Sequence, residues 1–367
     1  MLGQEFCERF GLSFPMIQAP MAGVSTPSLA AAVRQAGALP SLGCGAMNAA
    51  ALRQALTHYM ELSGERTNPL ININFFCHQE AAPDEATDAA WLTALAPIFA
   101  SFKATVPQGL KRIYQSFLNE DERLDVLLQC RPQMVSFHFG LPSEAVLSKL
   151  KAADIALFAT ACDLNEAKQL EAASVDYIVA QGYEAGGHRG IFNPEVDSAL
   201  GTLELLRLLK SECHTPIIAA GGVMNGEAIA KLLAEGAAAV QLGTAFVLCP
   251  ESSASLAYRR QLKAAAQQSI PETVVSPLIS GRAARGLRTS LSDLGASLVS
   301  DKGLKAPAYP MLYDVNKQLN DVALMQGDEG YGAYWAGAGV AAVRELPAAE
   351  LVALLAEEAS LSRHKKC

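Results

Sequence analysis

Pro216-Ile-Ile-Ala-Ala-Gly-Gly-Val-Met-Asn-Gly-Glu-Ala-Ile-Ala-Lys-Leu-Leu-Ala-Glu-Gly-Ala-Ala-Ala-Val-Gln-Leu-Gly-Thr244 is one complete strand–loop–helix–strand–loop unit. Pro216 to Ala220 and Ala238 to Leu242 are short apolar runs of strand length, and Glu227 to Glu235 between them reads as a helix. Parallel strands need such a crossover to return the chain to its starting edge. Strands buried on both faces are continuously apolar, as these are.

The same unit can be followed back to the start of the chain. Phe14 to Pro20, Ala38 to Leu42, Leu70 to Phe75, Met134 to Gly140, Ala156 to Ala161 and Tyr177 to Gln181 are further short apolar runs. Nearly every one precedes a helix. Thr26-Pro27 opens the first by an N-cap with proline in the first turn, and Asn48 caps the second, which runs to about Leu62. Eight strands ending near residue 243 match the length of a (β/α)8 barrel. A doubly wound open sheet alternates in the same way, but the count of eight and the lack of G-x-G-x-x-G after the first strand favour the barrel. The fold expected is therefore α/β, a TIM barrel over residues 1–250. A mainly helical insertion is expected at about 77–130, with helices from Asp84 to Lys103 and Gln108 to Gln129. Residues 251–336, loop-rich and punctuated by Pro271, Pro277, Pro307 and Pro310, read as a smaller substrate-side domain or lid. Residues 337–367 read as a segment whose final helix, Pro347 to Leu361, packs back on the barrel.

Half of the 367 residues are hydrophobic, enough for a substantial core. A net charge of −8 disfavours nucleic acid or an anionic membrane as partner and leaves a small molecule. No apolar stretch is long enough to span a bilayer, and the start lacks a basic region followed by an apolar one, so a cytoplasmic protein is expected. The eight cysteines show no C-x-x-C pair or zinc-finger spacing, and read as reduced thiols without a metal site.

In such barrels the site lies at the C-terminal ends of the strands, and a phosphate commonly sits on the last two loops. Gly221-Gly222-Val223-Met224-Asn225 and Gly243-Thr244 suit that position, with open amides and a helix start behind Asn225. Asn74, His138, Gln181 and Gln241 stand at other strand ends, neutral groups able to meet a ring that carries carbonyls and N–H groups. After Gln181 the loop Gly182-Tyr-Glu-Ala-Gly-Gly-His-Arg-Gly190 holds four glycines. Gly186 and Gly187 can adopt positive φ and let backbone approach a flat or anionic ligand, which delivers His188 as candidate base. A lone loop histidine would be unremarkable; the glycines and the other strand-end groups shift the reading towards function. Phosphate and ring together suggest flavin mononucleotide.

Gln18-Ala-Pro-Met-Ala22, Asn72-Ile-Asn-Phe-Phe76, Ser136-Phe-His-Phe-Gly140, Gln181-Gly-x-Glu-Ala-Gly-Gly-His188, Ala219-Ala-Gly-Gly222 and Gln241-Leu-Gly-Thr244 resemble the motifs of nitronate monooxygenases, FMN enzymes formerly called 2-nitropropane dioxygenases. The likeness continues through Tyr309-Pro-Met-Leu-Tyr313-Asp-Val-Asn-Lys317 and Tyr334-Trp-Ala-Gly-Ala338, where the family tends to have Gln at the last position. The resemblance implies an FMN site made by Pro20, Met21, Ala22, Asn74, Gln181, Gly186, Gly187, Gly221, Gly222, Gln241, Leu242, Gly243 and Thr244. It implies His188 as the catalytic residue and His138, Tyr309, Tyr313 and Lys317 as substrate-binding residues. The activity implied is oxidation of alkyl nitronates such as propionate 3-nitronate with O2 to a carbonyl compound and nitrite, by a monomer or homodimer. An NAD(P)H-dependent FMN reductase of the enoyl or quinone type on the same barrel is the alternative, since the loop around His188 is shared with such reductases.

Overall fold

The computed structural model describes residues 3–364. Among these described residues are eleven strands: β1 Met16–Gln18, β2 Ser41–Gly43, β3 Asn72–Phe76, β4 Met134–His138, β5 Ala156–Ala161, β6 Tyr177–Gln181, β7 Gly187–His188, β8 Ile217–Ala220, β9 Ala239–Leu242, β10 Thr273–Ser276 and β11 Ala284–Leu287. Eight of them form one parallel sheet in the order β1-β9-β8-β6-β5-β4-β3-β2. A parallel bridge between Ile17 and Leu39 joins the two ends. The expected TIM barrel is thus present. The N-caps read from sequence are made as well: the side chains of Thr26, Asn48 and Asn225 accept from the amides of Leu29, Ala51 and Ala228.

Alternation along the strands sorts side chains between two cores. Ile71, Ile73, Phe75, Val135, Phe137, Ile178 and Val240 pack outward against the helices. Ile17, Met134, Phe158, Tyr177, Val179 and Ile218 point into the barrel, where Phe6 and Phe10 of the N-terminal helix Gln4–Phe10 close its lower end. The Phe6 ring meets Tyr177 edge-on at 5.2 Å. Each aromatic buried there contributes about 2 kcal/mol. Above that plug the interior turns polar. Gln18 Oε1 accepts the Ser41 amide at 3.0 Å, and Asn72 Nδ2 donates to Ser41 Oγ at 3.1 Å. One layer higher stand Asn74, Ser136, His138, Thr160, Gln181 and Gln241, at the mouth.

The insertion differs from the expectation in one part. Glu85–Ser101 is helical as expected, but of the second helix only Glu122–Cys130 forms. Residues 104–121 are irregular because distant groups take their backbone and side-chain bonds. Phe117 N donates to Phe76 O and Lys111 N to Asp314 Oδ2, each at 2.8 Å, and the Ser116 hydroxyl donates to His78 O at 2.7 Å. A local helix there would forfeit these bonds to the barrel rim.

Beyond residue 250 the chain returns to that rim. β10 and β11 pair antiparallel, and β11 pairs in turn with β7, setting Ala284 opposite His188. Ile279, Leu291, Leu298, Leu312, Val315 and Leu319 share an apolar cluster with Trp91, Leu95 and Phe99 of the insertion. The C-terminal helix Ala348–His364 buries Leu351, Val352 and Leu355 in the main core, and Glu358 Oε2 accepts the Gly226 amide at 2.8 Å. Among the described residues no helix is long and apolar enough to cross a membrane, and no group of three or more His, Cys, Asp or Glu side chains is placed to hold a metal. The seven described cysteines are free; Cys367 lies outside the described residues.

Candidate active site

A cavity opens at the C-terminal ends of the strands. It is lined by Pro20, Met21 and Ala22, by Asn74, His138 and Gln181, by Gly186, Gly187 and His188, by Gly221 and Gly222, by Gln241, Leu242, Gly243 and Thr244, and by Tyr313. Sixteen of the expected site residues therefore converge on one space, fifteen from six strand ends and the loops after them and Tyr313 from the helix Met311–Met325. Tyr309 and Lys317 are placed elsewhere. Tyr309 is buried behind the wall, its ring 5.5 Å from that of His188 and stacked on Tyr114. Lys317 is exposed in a neighbouring recess with Asn316, Asn320 and Tyr334, its ammonium 5.6 Å from the Tyr313 ring.

One side of the cavity is suited to an anion. Among the described residues, none of the N–H groups of Gly221, Gly222, Val223, Gly243 or Thr244 has a protein acceptor. Gly222 sits at φ 66, a conformation that turns successive amides the same way. The helix Gly226–Ala234 contributes less than its position suggests, because Glu358 takes the Gly226 amide and Asn225 the Ala228 amide. The segment after Trp335 passes directly over these loops: Gly337 N donates to Thr244 Oγ1 and Ala338 N to Glu184 O, each at 2.9 Å. That passage explains Gly186. Its φ is not positive, contrary to expectation; a Cβ there would lie 2.5 Å from Gly337 N. Gly187, at φ 77, does adopt the left-handed conformation.

The other side presents neutral polar groups. Asn74 Nδ2 donates to Ser136 Oγ at 2.9 Å, and its Oδ1 has no partner among the described residues. Among the described residues neither end of the Gln241 amide has a partner. Gln181 is engaged differently: Nε2 donates to His188 O at 2.9 Å and Oε1 accepts the Gly190 amide at 2.8 Å, so its side chain holds the glycine-rich loop to β6.

The two histidines are inequivalent. His138 Nε2 lies 3.2 Å from His188 O, which only accepts, so Nε2 carries the proton and Nδ1 accepts from the Thr160 hydroxyl at 3.0 Å. Both nitrogens are spent. His188 Nε2 lies 2.9 Å from Ser280 Oγ, and that hydroxyl donates to Arg282 O at 3.1 Å. Ser280 must then accept from Nε2–H, which leaves Nδ1 as an unprotonated nitrogen without a partner among the described residues. Burial pushes the His188 imidazole down to about 3, with His138 and the Arg282 charge adding to the effect. Burial likewise lowers His138 to about 4. Both rings are neutral near pH 7. Phe139, Tyr309, Tyr313 and Trp335 surround His188 with ring centroids 5.2–6.2 Å away.

Several of these groups carry no sequence signal. Ser280 and Thr160 are common residue types, marked only by where the fold puts them. Arg282 and Arg285, in the loop-rich segment beyond residue 250, are only 6% and 8% exposed. Arg189 is fully buried, bonded to Gln181 O and Gly182 O and paired with Asp197 at 2.9 Å.

A family model described as nitronate monooxygenase matches residues 4–358. A nitronate monooxygenase of Paraburkholderia phytofirmans is 52% identical over 350 residues, covering 95% of this chain and 93% of that one. One of Pseudomonas aeruginosa is 46% identical over 355 residues, with coverage of 96% and 98%. Among solved structures, the nitroalkane oxidase of Streptomyces ansochromogenes superposes with a TM-score of 0.82 at 34% identity, over 97% of this chain and 98% of that one. FabK of Thermotoga maritima, at a TM-score of 0.72 and 24% identity over 99% and 97%, shares the fold.

Proposed function

Since the chain belongs to the nitronate monooxygenase family, an oxidoreductase family, we propose that it uses FMN and O2 to convert alkyl nitronates, including small nitro acids such as propionate 3-nitronate, to a carbonyl compound and nitrite. The observation that carries this reading is one cavity holding both a set of unpaired amides and an unprotonated, unpartnered histidine nitrogen. The amides of Gly221 to Val223 and of Gly243 and Thr244 fit a phosphate, and a single phosphate site suits FMN. Asn74 Oδ1 and the Gln241 amide would meet the ring's N–H and carbonyl groups, with Pro20 to Ala22 as the adjoining wall. When bound, FMN supplies the electron acceptor that opens the nitronate carbon to reaction with O2.

The protein's own part is binding, orientation and one proton. A neutral nitroalkane gives its α-proton to His188 Nδ1, while the Nε2–H bond to Ser280 holds the ring in the tautomer that allows this. The imidazolium so formed stands beside the nitronate anion it has generated, and the attraction offsets the burial that otherwise keeps His188 neutral. A preformed nitronate skips that step. His138 and Gln181 act by fixing the His188 backbone, and Tyr313 and Trp335 exclude water around the ring. In this reading residues 251–336 are the substrate-side unit over the barrel of residues 1–250, with 337–367 returning to it.

Anaerobic mixing tests the proposal. A yellow protein whose released flavin is FMN, bleached by propionate 3-nitronate and reoxidised by O2 with release of nitrite, is the expected result. Bleaching by NADH or NADPH with no response to nitronate would establish the reductase instead.

A further inference from the structure

Beside the active cavity lies a second recess, of about 150 Å³, whose lining includes Ser255, Tyr258, Tyr313, Lys317, Asn320 and Tyr334. The helix Met311–Met325 builds one side of it. Leu312, Val315 and Leu319 of that helix turn to the apolar cluster shared with the insertion, so Tyr313, Asn316, Lys317 and Asn320, three and four residues apart, fall together on another face. Tyr258 and Tyr313 line both hollows and form the partition between them. The partition is tied together through Trp335: the Tyr258 hydroxyl donates to Trp335 O, and Trp335 Nε1 donates to the Tyr313 hydroxyl at 3.3 Å.

The polar groups of the recess are unengaged. The Lys317 ammonium stands 5.6 Å from the Tyr313 ring and has no ion pair or hydrogen bond among the described residues. Neither end of the Asn320 amide has a partner among them, although its Oδ1 is buried. A buried acceptor left unmade is costly, so an occupant that bonds to it is the natural complement. Ser255 Oγ accepts the Tyr258 amide at 3.1 Å, and its own proton has no acceptor among the described residues. Tyr334, by contrast, gives its proton to Glu329 O at 2.7 Å, and Tyr258 gives its own to Trp335 O. What these two present is ring surface, with centroids 5.6 Å apart and planes tilted by 42°.

That inventory specifies an occupant. The unpaired ammonium calls for an anion, and a carboxylate supplies one. A hydroxyl serves either end of the Asn320 amide, because it both donates and accepts. Tyrosine rings favour offset or edge-on contact with another ring, and a cavity of this volume holds one of benzene size. We propose that the recess is a binding site for a one-ring aromatic carboxylate that carries a hydroxyl, with the carboxylate at Lys317, the hydroxyl at Asn320 and the ring against Tyr258, Tyr313 and Tyr334. The site is distinct from the cavity of His188 and does not depend on the nitronate reading.

Calorimetric titration of the protein as purified with 4-hydroxybenzoate, and with benzoate, which lacks the hydroxyl, tests the proposal without any turnover. One-to-one binding of 4-hydroxybenzoate is expected, with a Kd of about 1 mM or tighter for a ligand of this size. Benzoate should bind about 2- to 10-fold more weakly, the contribution of one neutral hydrogen bond. Lys317→Met should weaken 4-hydroxybenzoate about 10-fold, the low end for a hydrogen bond to a charged group because Lys317 is exposed. Asn320→Leu should make 4-hydroxybenzoate bind no better than benzoate. Lys317 has no ion pair and Asn320 Oδ1 no partner to lose, so neither substitution removes a bond of the fold. Absence of binding overturns the proposal and leaves the recess to water. Equal affinity for the two acids also overturns it, as does binding that survives both substitutions, which would place the acid in the active cavity.

Discussion

Replacing each of the two site histidines by asparagine separates proton transfer from positioning. Of the two histidines that line the cavity among the described residues, His188 alone has an unengaged nitrogen; His188→Asn removes it, and an amide cannot take an α-proton. General-base catalysis contributes about 10²- to 10⁴-fold, or roughly 3 to 5 kcal/mol of barrier, and that loss is expected on neutral nitroethane. On preformed ethyl nitronate the proton is already gone, so a smaller loss is expected. His138→Asn acts otherwise. It deletes the bonds to Thr160 Oγ1 and to His188 O, but His188 O keeps its bond from Gln181 Nε2 at 2.9 Å. Two neutral hydrogen bonds at about 1 kcal/mol each suggest a fall in stability of roughly 2 kcal/mol. The accompanying rate loss should be the same on both substrates. The assay is oxygen uptake with each substrate, beside urea unfolding of each variant. A substrate-dependent loss in His138→Asn with equal losses in His188→Asn would refute the assignment of the tautomers and of the base.

Gly243→Leu should purify without flavin and fail to bind FMN in a fluorescence-quenching titration, because its side chain would extend past Ala19 and Met21 into the space the open amides face; retained FMN would move the phosphate elsewhere. Asp197→Asn leaves the fully buried Arg189 unpaired and should lower stability by about 3 kcal/mol in urea unfolding, the low end for a broken buried pair because Asp197 is 19% exposed. Stability of the flavin-free protein should fall on acidification. His78, His138 and His188 are lowered to about 4, 4 and 3 by burial, so the unfolded chain takes up three protons near pH 6.5 that the folded chain refuses until about pH 4. Glu166, raised to about 7 by burial, is protonated earlier in the folded state and offsets one of them. The stabilisation is complete above pH 6.5 and should drop by roughly 3 kcal/mol per pH unit between pH 6.5 and 4.5, two protons net. A flat urea midpoint across that window would show that the three rings are solvated.

The amino-acid sequence by itself determined the barrel and the positions of its loops. Strand–helix alternation, N-caps at Thr26, Asn48 and Asn225 and glycines after the last two strands are local signals, set by the residues that make them, and a strand's C-terminal end needs no tertiary information to locate. The tertiary structure decided the chemistry of individual atoms. Ser280 fixes the tautomer of His188 across 92 positions of chain, and the peptide of His188 occupies His138. Residues 104–121 lost a locally plausible helix to bonds with Phe76, His78 and Asp314. Arg282, in a segment that its prolines mark as loop, is buried beside the β11–β7 pairing, while Lys317, four residues after a site tyrosine, faces another recess. Hydrogen-bond saturation and burial are set by groups that meet only on folding, and those two quantities determine which nitrogen is basic and which cation lacks a partner.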